Sequence, residues 1–468
     1  MIKNEYCCIK FLDMHRTIKT KKGLDIKLVG EAVPSVQKYN CQHFAITPDD
    51  FKWLTPKLLV QESEKVLVGQ PLFFAKENDK IQIGAPVSGT VTQIVRGEKR
   101  KIESITIESD QQFQTIDLSG KINDHSSEKI KESLLFSGLW PMVRQRPYAV
   151  IANPDQQPKA IYVSCTDTSP LAPDVSYLLE GKMDLFLKGI STIAKLTKGK
   201  LFLTAKVGSK MHEILSQDPT IVEKLNEIPN CEFVPFSGPH PSGNVGTQIH
   251  FLTPIQKGEA VWYVEPQNLC NIGNLFLNQT LDFSKRVALV GGAVTNPQYY
   301  DLISGVSVNE LLENNLKYDE VRVISGNVLT GSNIGKNGFV GFYDQMISVI
   351  PESEERELLG WIMPNIGKFS VSRTFLSFLM PQKKYNIDTR LFGGKRAPMF
   401  TDVYSKVFPM DLLPDQLLKA CYIKDIETME ALGIYEVVEE DFALCEFVCP
   451  SKSDCQQIIK EALFEIHK

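Results

Sequence analysis

Long apolar runs are missing from this chain. None approaches the about 18 residues that a bilayer-spanning helix needs, so no such helix is expected. The opening residues, Met1-Ile-Lys-Asn-Glu-Tyr-Cys-Cys-Ile-Lys10, lack the apolar centre of a secretory signal. A basic excess is missing too. Lys and Arg total 51 against 56 Asp and Glu, giving a net charge of −5 and a pI near 5.9, which argues against nucleic acid as a partner. The ten cysteines are scattered and mostly sit in apolar stretches, a pattern of reduced, buried thiols in a cytosolic protein. What remains is an ordinary globular composition, 43% hydrophobic. The 468 residues, at about 150 per domain, make three or four domains. A soluble or peripheral protein on the cytoplasmic side is expected.

The first organised stretch is a pair of β-branched segments, Val66–Phe74 and Gly84–Ile94, with Gly and Pro at the turns. It resembles the half-repeat of biotinyl and lipoyl carrier domains. Those carriers hold their prosthetic group on a Met-Lys tip between the halves. Here Ala75-Lys-Glu-Asn-Asp-Lys-Ile-Gln-Ile83 stands between them, and Lys76 and Lys80 flank the spot without a Met-Lys pair. A plain hairpin of a barrel-sandwich domain is expected. Upstream, Lys19–Lys27 reads as a basic, solvated edge.

From Ala160 strands and helices alternate. Ile161–Cys165, Leu201–Ala205 and Cys231–Pro235 read as strands, and Leu178, Leu179, Met183, Phe186, Leu187, Ile190 and Ala194 recur at helical spacing. Such alternation makes a parallel, Rossmann-like sheet. No G-x-G-x-x-G follows any of these strands, so the usual dinucleotide cradle is missing. Before them lies Ser137-Gly-Leu-Trp-Pro-Met-Val-Arg-Gln-Arg-Pro147. A flavin-phosphate loop needs glycines so that backbone amides reach the anion, and Trp140, Met142 and Val143 would block that approach. Arg144 and Arg146 have the charge to hold an anion, but structural or interfacial roles are commoner for two loop arginines.

Beyond the Cys231 strand, Phe236-Ser-Gly238-Pro-His240-Pro-Ser-Gly-Asn-Val-Gly-Thr-Gln-Ile-His250 is rich in Gly and Pro and hence stiff. It follows a strand carboxyl end, where open α/β sheets bind ligands. Phe236, Gly238, His240 and His250 form the candidate quinone region, with Phe233 and Phe251 as apolar wall and a histidine N–H as donor. The competing reading is a structural loop with both histidines satisfied by backbone. The histidine spacing fits no metal pattern.

Arg286–Leu312 reads as strand, turn, strand and helix, with Ser307 and Glu310 as a capping box, and Val321–Leu329 as a second strand pair. This resembles the soluble-ligand-binding β-grasp (SLBB) family. Gly393-Gly-Lys-Arg-Ala397 is a basic turn suited to a partner or lipid headgroups, or simply an exposed loop. The last helix is read as starting after Ser453, capped through Gln456, with Cys455, Ile458, Ile459, Ala462, Leu463 and Ile466 on one face. Ahead of it stands Cys445-Glu-Phe-Val-Cys449-Pro450, the second half of the ferredoxin run C-x2-C-x2-C-x3-C-P. The positions three and six residues earlier hold Phe442 and Glu439, so the usual four thiolates are not supplied.

Taken in order, Ser137–Trp140 with Arg146-Pro147, Gly238-Pro-His-Pro241, Arg322–Gly326, Phe369–Val371 with Arg373-Thr374, and Leu444–Pro450 make the chain similar, through essentially its whole length, to the A-subunit family of Na⁺-translocating NADH:quinone reductases. That family is related to the C-type protein of the Rnf complex and to the NADH-binding subunit of complex I. The resemblance implies an α/β multidomain fold: a barrel-sandwich domain at 1–122, a Rossmann-like domain at 123–255, an SLBB β-grasp domain at 256–345 and a mainly helical domain at 346–468. It further implies a peripheral position on the cytoplasmic face of the bacterial inner membrane. The complex oxidises NADH, reduces ubiquinone and exports Na⁺. This chain itself would carry no catalytic residue, cofactor or metal, leaving flavins and iron–sulfur centres to the other five subunits, with the membrane-embedded B-subunit as main contact. Two rival classes stay open. A flavin-dependent NADH dehydrogenase or Rnf-type electron-transfer subunit would need glycines where Trp140 stands, and a biotin or lipoyl carrier would need a Met-Lys tip.

Overall fold

The computed structural model describes residues 16–353, 367–373, 375–399 and 402–468. The expectations for Met1–Lys10, including Cys7 and Cys8, and for Thr374 lie outside them.

The parallel sheet forms where near-continuous apolar runs are covered on both faces. Ile161–Ser164, Leu201–Lys206, Cys231–Ser237 and Val261–Val264 are almost wholly buried. They lie in a seven-stranded sheet in the order Ile18–Lys19, Cys231–Ser237, Leu201–Lys206, Ile161–Ser164, Val261–Val264, Val143–Arg146, Val150–Ile151. The helices Met183–Ala194 and Pro266–Asn278 cross on small residues. A Cβ on Gly189 would lie 2.2 Å from the Leu269 carbonyl oxygen, and one on Gly273 would lie 1.9 Å from that of Leu185.

The barrel-sandwich domain pairs a four-stranded sheet (His43–Ile46, Ile102–Ser109, Gly89–Arg96, Lys65–Val66) with a three-stranded one (Pro56–Leu58, Pro71–Ala75, Asn78–Gly84). The segment expected to link its two halves is itself the strand Asn78–Gly84. The turn is only Lys76-Glu77, closed by the pairing of Ala75 with Asn78. Lys80 lies on that strand and pairs with Asp155 at 2.8 Å.

Three sheet assignments correct the expected boundaries. Val261–Val264 and the helix after it belong to the α/β layer, past residue 255. Met346–Pro351 sits between Val321–Ser325 and Ser284–Val290 in the six-stranded β-grasp sheet, past residue 345. The chain before the barrel is shared out: Ile18–Lys19 edges the α/β sheet, and Val33–Lys38 pairs in parallel with Gln298–Ile303 of the β-grasp sheet.

The C-terminal domain packs the helices Val403–Val407, Pro414–Ile423, Ile426–Ala431, Ala443–Val448 and Cys455–His467. The last helix buries Cys455, Ile459, Ala462 and Leu463, as its apolar spacing predicts. Its cap is not a Ser453–Gln456 box. Asp454 is the N-cap residue, the Gln456 amide donates to Glu446 Oε2 at 2.9 Å, and the Gln456 side chain donates to the Leu329 carbonyl at 3.1 Å. Nor do Ser307 and Glu310 close a box, since the short helix Asn309–Leu312 has Val308 at its N-cap position.

Candidate functional site

Along the chain the sheet grows in one direction from Ile161–Ser164 to Leu201–Lys206 to Cys231–Ser237. It then returns to place Val261–Val264 on the other side of Ile161–Ser164. Ligands in open α/β sheets bind at such a reversal. A cleft of about 950 Å³ opens there. Its floor is the end of these strands, at Ser164, Asp167 and Glu265. Its walls are the turn Asp49–Thr55 of the barrel, Tyr343–Met346 of the β-grasp domain, and Val438–Glu440 with Lys460 of the C-terminal domain.

Much of the lining is polar and held in place. Ser164 Oγ donates to the Gly243 carbonyl at 3.0 Å and accepts from Gln248 Nε2 at 2.8 Å. Arg144 lies between the rings of Tyr263 and Tyr343, at 4.7 and 4.3 Å, and donates to Glu265 Oε1 at 2.5 Å. Gln345 Nε2 holds the other Glu265 oxygen at 2.8 Å. Asp50 accepts from the Phe342 amide at 2.9 Å, and burial, outweighing that bond, pushes its carboxyl up to about 7. Nearby Lys285 is buried against the carbonyls of Gly341 and Phe342, and desolvation brings its ammonium down to about 8. Asp50 sits in a short turn, Pro48–Asp50, that carries no motif. Neither it nor the Arg144 sandwich had a sequence signal beyond residue type.

Of the candidate quinone residues Phe236, Gly238, His240 and His250, only His240 lines the cleft; Arg144, read as able to hold an anion, lines it too. Its backbone amide donates to Asp25 Oδ1 at 2.9 Å, and its Nδ1 lies 3.1 Å from Thr168 Oγ1. That hydroxyl also accepts from the Gly243 amide at 3.0 Å, which fixes it beside the ring. Burial lowers the His240 pKa, against the pull of Asp167, Asp25 and Glu440, and keeps the ring neutral. His240 precedes a cis peptide to Pro241. Gly238 fits where a Cβ would meet Thr20 Oγ1 at 2.0 Å. Phe236 is buried in a separate apolar cluster with Phe202, Val234 and Ile249, and Phe233 and Phe251 also stand away from the cleft.

His250 corrects the loop reading. It lies on the helix Val245–Leu252, its Nε2 accepts from the Asp411 amide at 2.9 Å, and Nδ1 faces Glu436 Oε2 at 2.7 Å. Both ring nitrogens are engaged by the C-terminal domain.

The two places of the broken redox motifs are filled. Trp140 is fully buried, donates from Nε1 to the Ala152 carbonyl at 2.7 Å, and meets Trp262 edge to face at 5.4 Å. Arg146 is engaged within the protein. It is buried against Asp441 at 3.0 Å and against Glu440, tying the strand Val143–Arg146 to the C-terminal domain. Glu439 pairs with Lys52 of the barrel at 2.5 Å, and Phe442 packs on Phe408 at 5.0 Å. Among the described residues no group of three His, Cys, Asp or Glu side chains is arranged to hold a metal ion, and no helix is long and apolar enough to cross a membrane.

Comparison with known proteins decides the family. Residues 18–110 match the NqrA N-terminal barrel-sandwich hybrid domain, 125–281 the NqrA second alpha/beta domain, and 286–336 the NQRA C-terminal domain. The A-subunit of the Na(+)-translocating NADH-quinone reductase of Yersinia pestis bv. Antiqua (strain Angola) is 36% identical over 456 residues, 96% of this chain and 99% of that protein. The corresponding protein of Serratia proteamaculans (strain 568) is 36% identical over 458 residues, and that of Pasteurella multocida (strain Pm70) 35% over 457, both over 96% of this chain and 99% of theirs. The chain belongs to the NqrA family, the A-subunits of Na⁺-translocating NADH-quinone reductases. The NqrA fold is the barrel-sandwich, α/β and β-grasp series described above. An NAD⁺-reducing [NiFe]-hydrogenase in the H2-reduced state superposes with a TM-score of 0.35 at 11% identity, over 67% of this chain and 55% of that one, too weak a likeness to carry an argument.

Proposed function

We propose that this NqrA-family chain is the peripheral, cytoplasmic-face member of a complex of six subunits that oxidises NADH, reduces ubiquinone and exports Na⁺. It serves assembly and quinone binding, while flavins and iron–sulfur centres reside in the partners. The observation that carries this reading is the end-to-end likeness to NqrA proteins, 96% of one chain against 99% of the other. The isolated chain should be colourless. Stoichiometric flavin absorbance, or iron with acid-labile sulfide, in protein made without partners would overturn that part.

The membrane-embedded B-subunit is the proposed main contact, and one surface suits it. Between 367 and 399 the sequence holds seven Lys and Arg against one Asp, in a chain whose net charge is −5. The same stretch exposes Leu376, Phe378, Leu379, Leu391, Phe392 and Met399. Exposed apolar side chains grouped this way mark an interaction site. Leu379→Glu with Leu391→Glu should abolish co-purification with the membrane subunits; retention at the wild-type level would remove this surface from the interface.

His240 is the proposed quinone contact, a neutral ring at the cleft wall that would donate to a quinone carbonyl. In the assembled complex His240→Ala should raise the KM for ubiquinone and preserve NADH oxidation by an artificial acceptor. Unchanged quinone kinetics would move the site to the surface facing the membrane partner.

A further inference from the structure

The C-terminal domain carries a thiol arrangement that neither the family assignment nor the proposed role uses. Cys449 ends the helix Ala443–Val448, and Cys455 begins the helix Cys455–His467. The connection folds back on itself: the Lys452 amide donates to the Cys449 carbonyl at 3.3 Å and the Cys455 amide to the Ser453 carbonyl at 2.9 Å. The two side chains therefore meet. The Tyr404 hydroxyl donates to Cys449 Sγ at 2.9 Å, the Ser453 amide donates to the same sulfur at 3.3 Å, and Cys455 lies within hydrogen-bonding reach of both Tyr404 and Cys449.

We propose that Cys449 and Cys455 form a thiol pair that a hydroperoxide converts to a disulfide. Geometry sets the roles. Cys449 has donors aimed at its sulfur. Burial opposes its thiolate, but the bonds from Tyr404 and Ser453 outweigh it and hold the thiol below its ordinary range. Cys455 is pushed up to about 12, chiefly by burial, and stays a protonated neighbour. Cys445, one helical turn before Cys449, is raised well above the ordinary range by burial and is the inert member of the group.

Access lies on the Cys455 side of the pair, Cys449 itself being fully buried. An apolar pocket of about 60 Å³ is lined by Cys455, Ser453, Tyr404, Leu418 and Met399. One water needs only about 10–15 Å³ of such space, so a peroxide fits. In the first step the Cys449 thiolate attacks one peroxide oxygen. The S–O bond forms, the O–O bond breaks, and hydroxide leaves to take up a proton as water. Cys455 sulfur then attacks the Cys449 sulfenic acid. The S–S bond forms, the S–O bond breaks, and the departing hydroxide takes the Cys455 proton as a second water. The two thiols lose two electrons and the peroxide gains them. Closing the disulfide removes the Tyr404 bond to the thiolate, which anchors the helix Val403–Val407 on this core.

The test uses the full-length reduced chain and hydrogen peroxide. Lys452 lies between the cysteines, so trypsin separates them unless a disulfide joins the fragments. Oxidised protein should lose two hydrogens in mass and yield a dithiothreitol-sensitive pair of fragments. Cleavage at Glu446 distinguishes Cys449 from Cys445. Cys455→Ser should stop at a dimedone-reactive sulfenic acid on Cys449, and Cys449→Ser should leave Cys455 unmodified at the same dose. No linked fragment from folded wild-type protein, or a link through Cys445 or Cys421 instead, would overturn the proposal without relying on either variant.

Discussion

Two stretches, Ser137–Pro147 and Glu439–Cys455, stand where the resemblance places redox groups in related proteins, and the chain has filled them in different ways. The first is filled with carbon. Trp140, Met142 and Val143 are at most 2% exposed, and the arginine that follows is spent on Asp441 and Glu440. In the second, the two positions lacking cysteine serve packing: Glu439 clamps the barrel through Lys52, and Phe442 packs on Phe408 inside the C-terminal domain. Two thiols of the motif remain, one with hydrogen-bond donors at its sulfur. A site lost by packing keeps no chemistry. A site lost by removing half its ligands leaves one of the remaining sulfurs, Cys449, in surroundings that still favour its charged form.

The comparison is broken most severely at the first stretch. Arg146→Ala strands buried Asp441, whose carboxyl is already raised to about 6 by burial, and should cost about 3–5 kcal/mol. Trp140→Ala removes a fully buried indole and should cost about 3–5 kcal/mol. Urea denaturation checks both, and losses under about 1 kcal/mol would show that the loop is not a core element. At the second stretch, replacing Cys445 and Cys449 with Ala should cost about 1–3 kcal/mol and leave turnover of the assembled complex largely intact. Lost quinone reduction with unchanged assembly and stability would mean that the thiols take part in electron transfer.

The smallest effect is a pH slope at the cleft. Folded Asp50 holds its proton to about pH 7, whereas the ordinary value is 3.8. Between those values the folded chain binds more protons than the unfolded one, so this residue's contribution to stability falls as pH rises. Asp50→Asn should flatten that decline relative to wild type in denaturation curves across the window. An unchanged slope would show that Asp50 is ionised in the folded chain.

What the sequence disclosed and what it hid divide along local and remote information. Apolar runs such as Leu201–Lys206, and the one-sided face of the last helix, are local signals and appear where expected. Val33–Lys38, Val261–Val264 and Met346–Pro351 find partners far away in the chain, and nothing in their own residues says which sheet will take them. The expected boundaries at 255 and 345 cut through sheets whose later strands lie beyond them. At the site, His240 was legible because a Gly-Pro loop after a strand is a local pattern. His250 was misplaced because the helix Val245–Leu252 starts inside that loop, and because its partners Glu436 and Asp411 come from another domain. The Ser453 cap failed for a similar reason: Glu446 and Leu329 had claimed Gln456.

The sharing of residues 18–38 between two sheets bears on biogenesis. Thr20 waits for Ser237, 217 residues further along, before its backbone amide has a partner, and the Val33 amide waits for the Pro297 carbonyl. On a ribosome the barrel can close while this leading strap is still loose, because the barrel strands His43–Ser109 pair among themselves. The second half of the strap, Val33–Lys38, can be laid down only after the β-grasp hairpin has emerged, and it then joins two domains. A nascent chain arrested before about residue 303 should therefore present these first residues to protease, while its barrel resists.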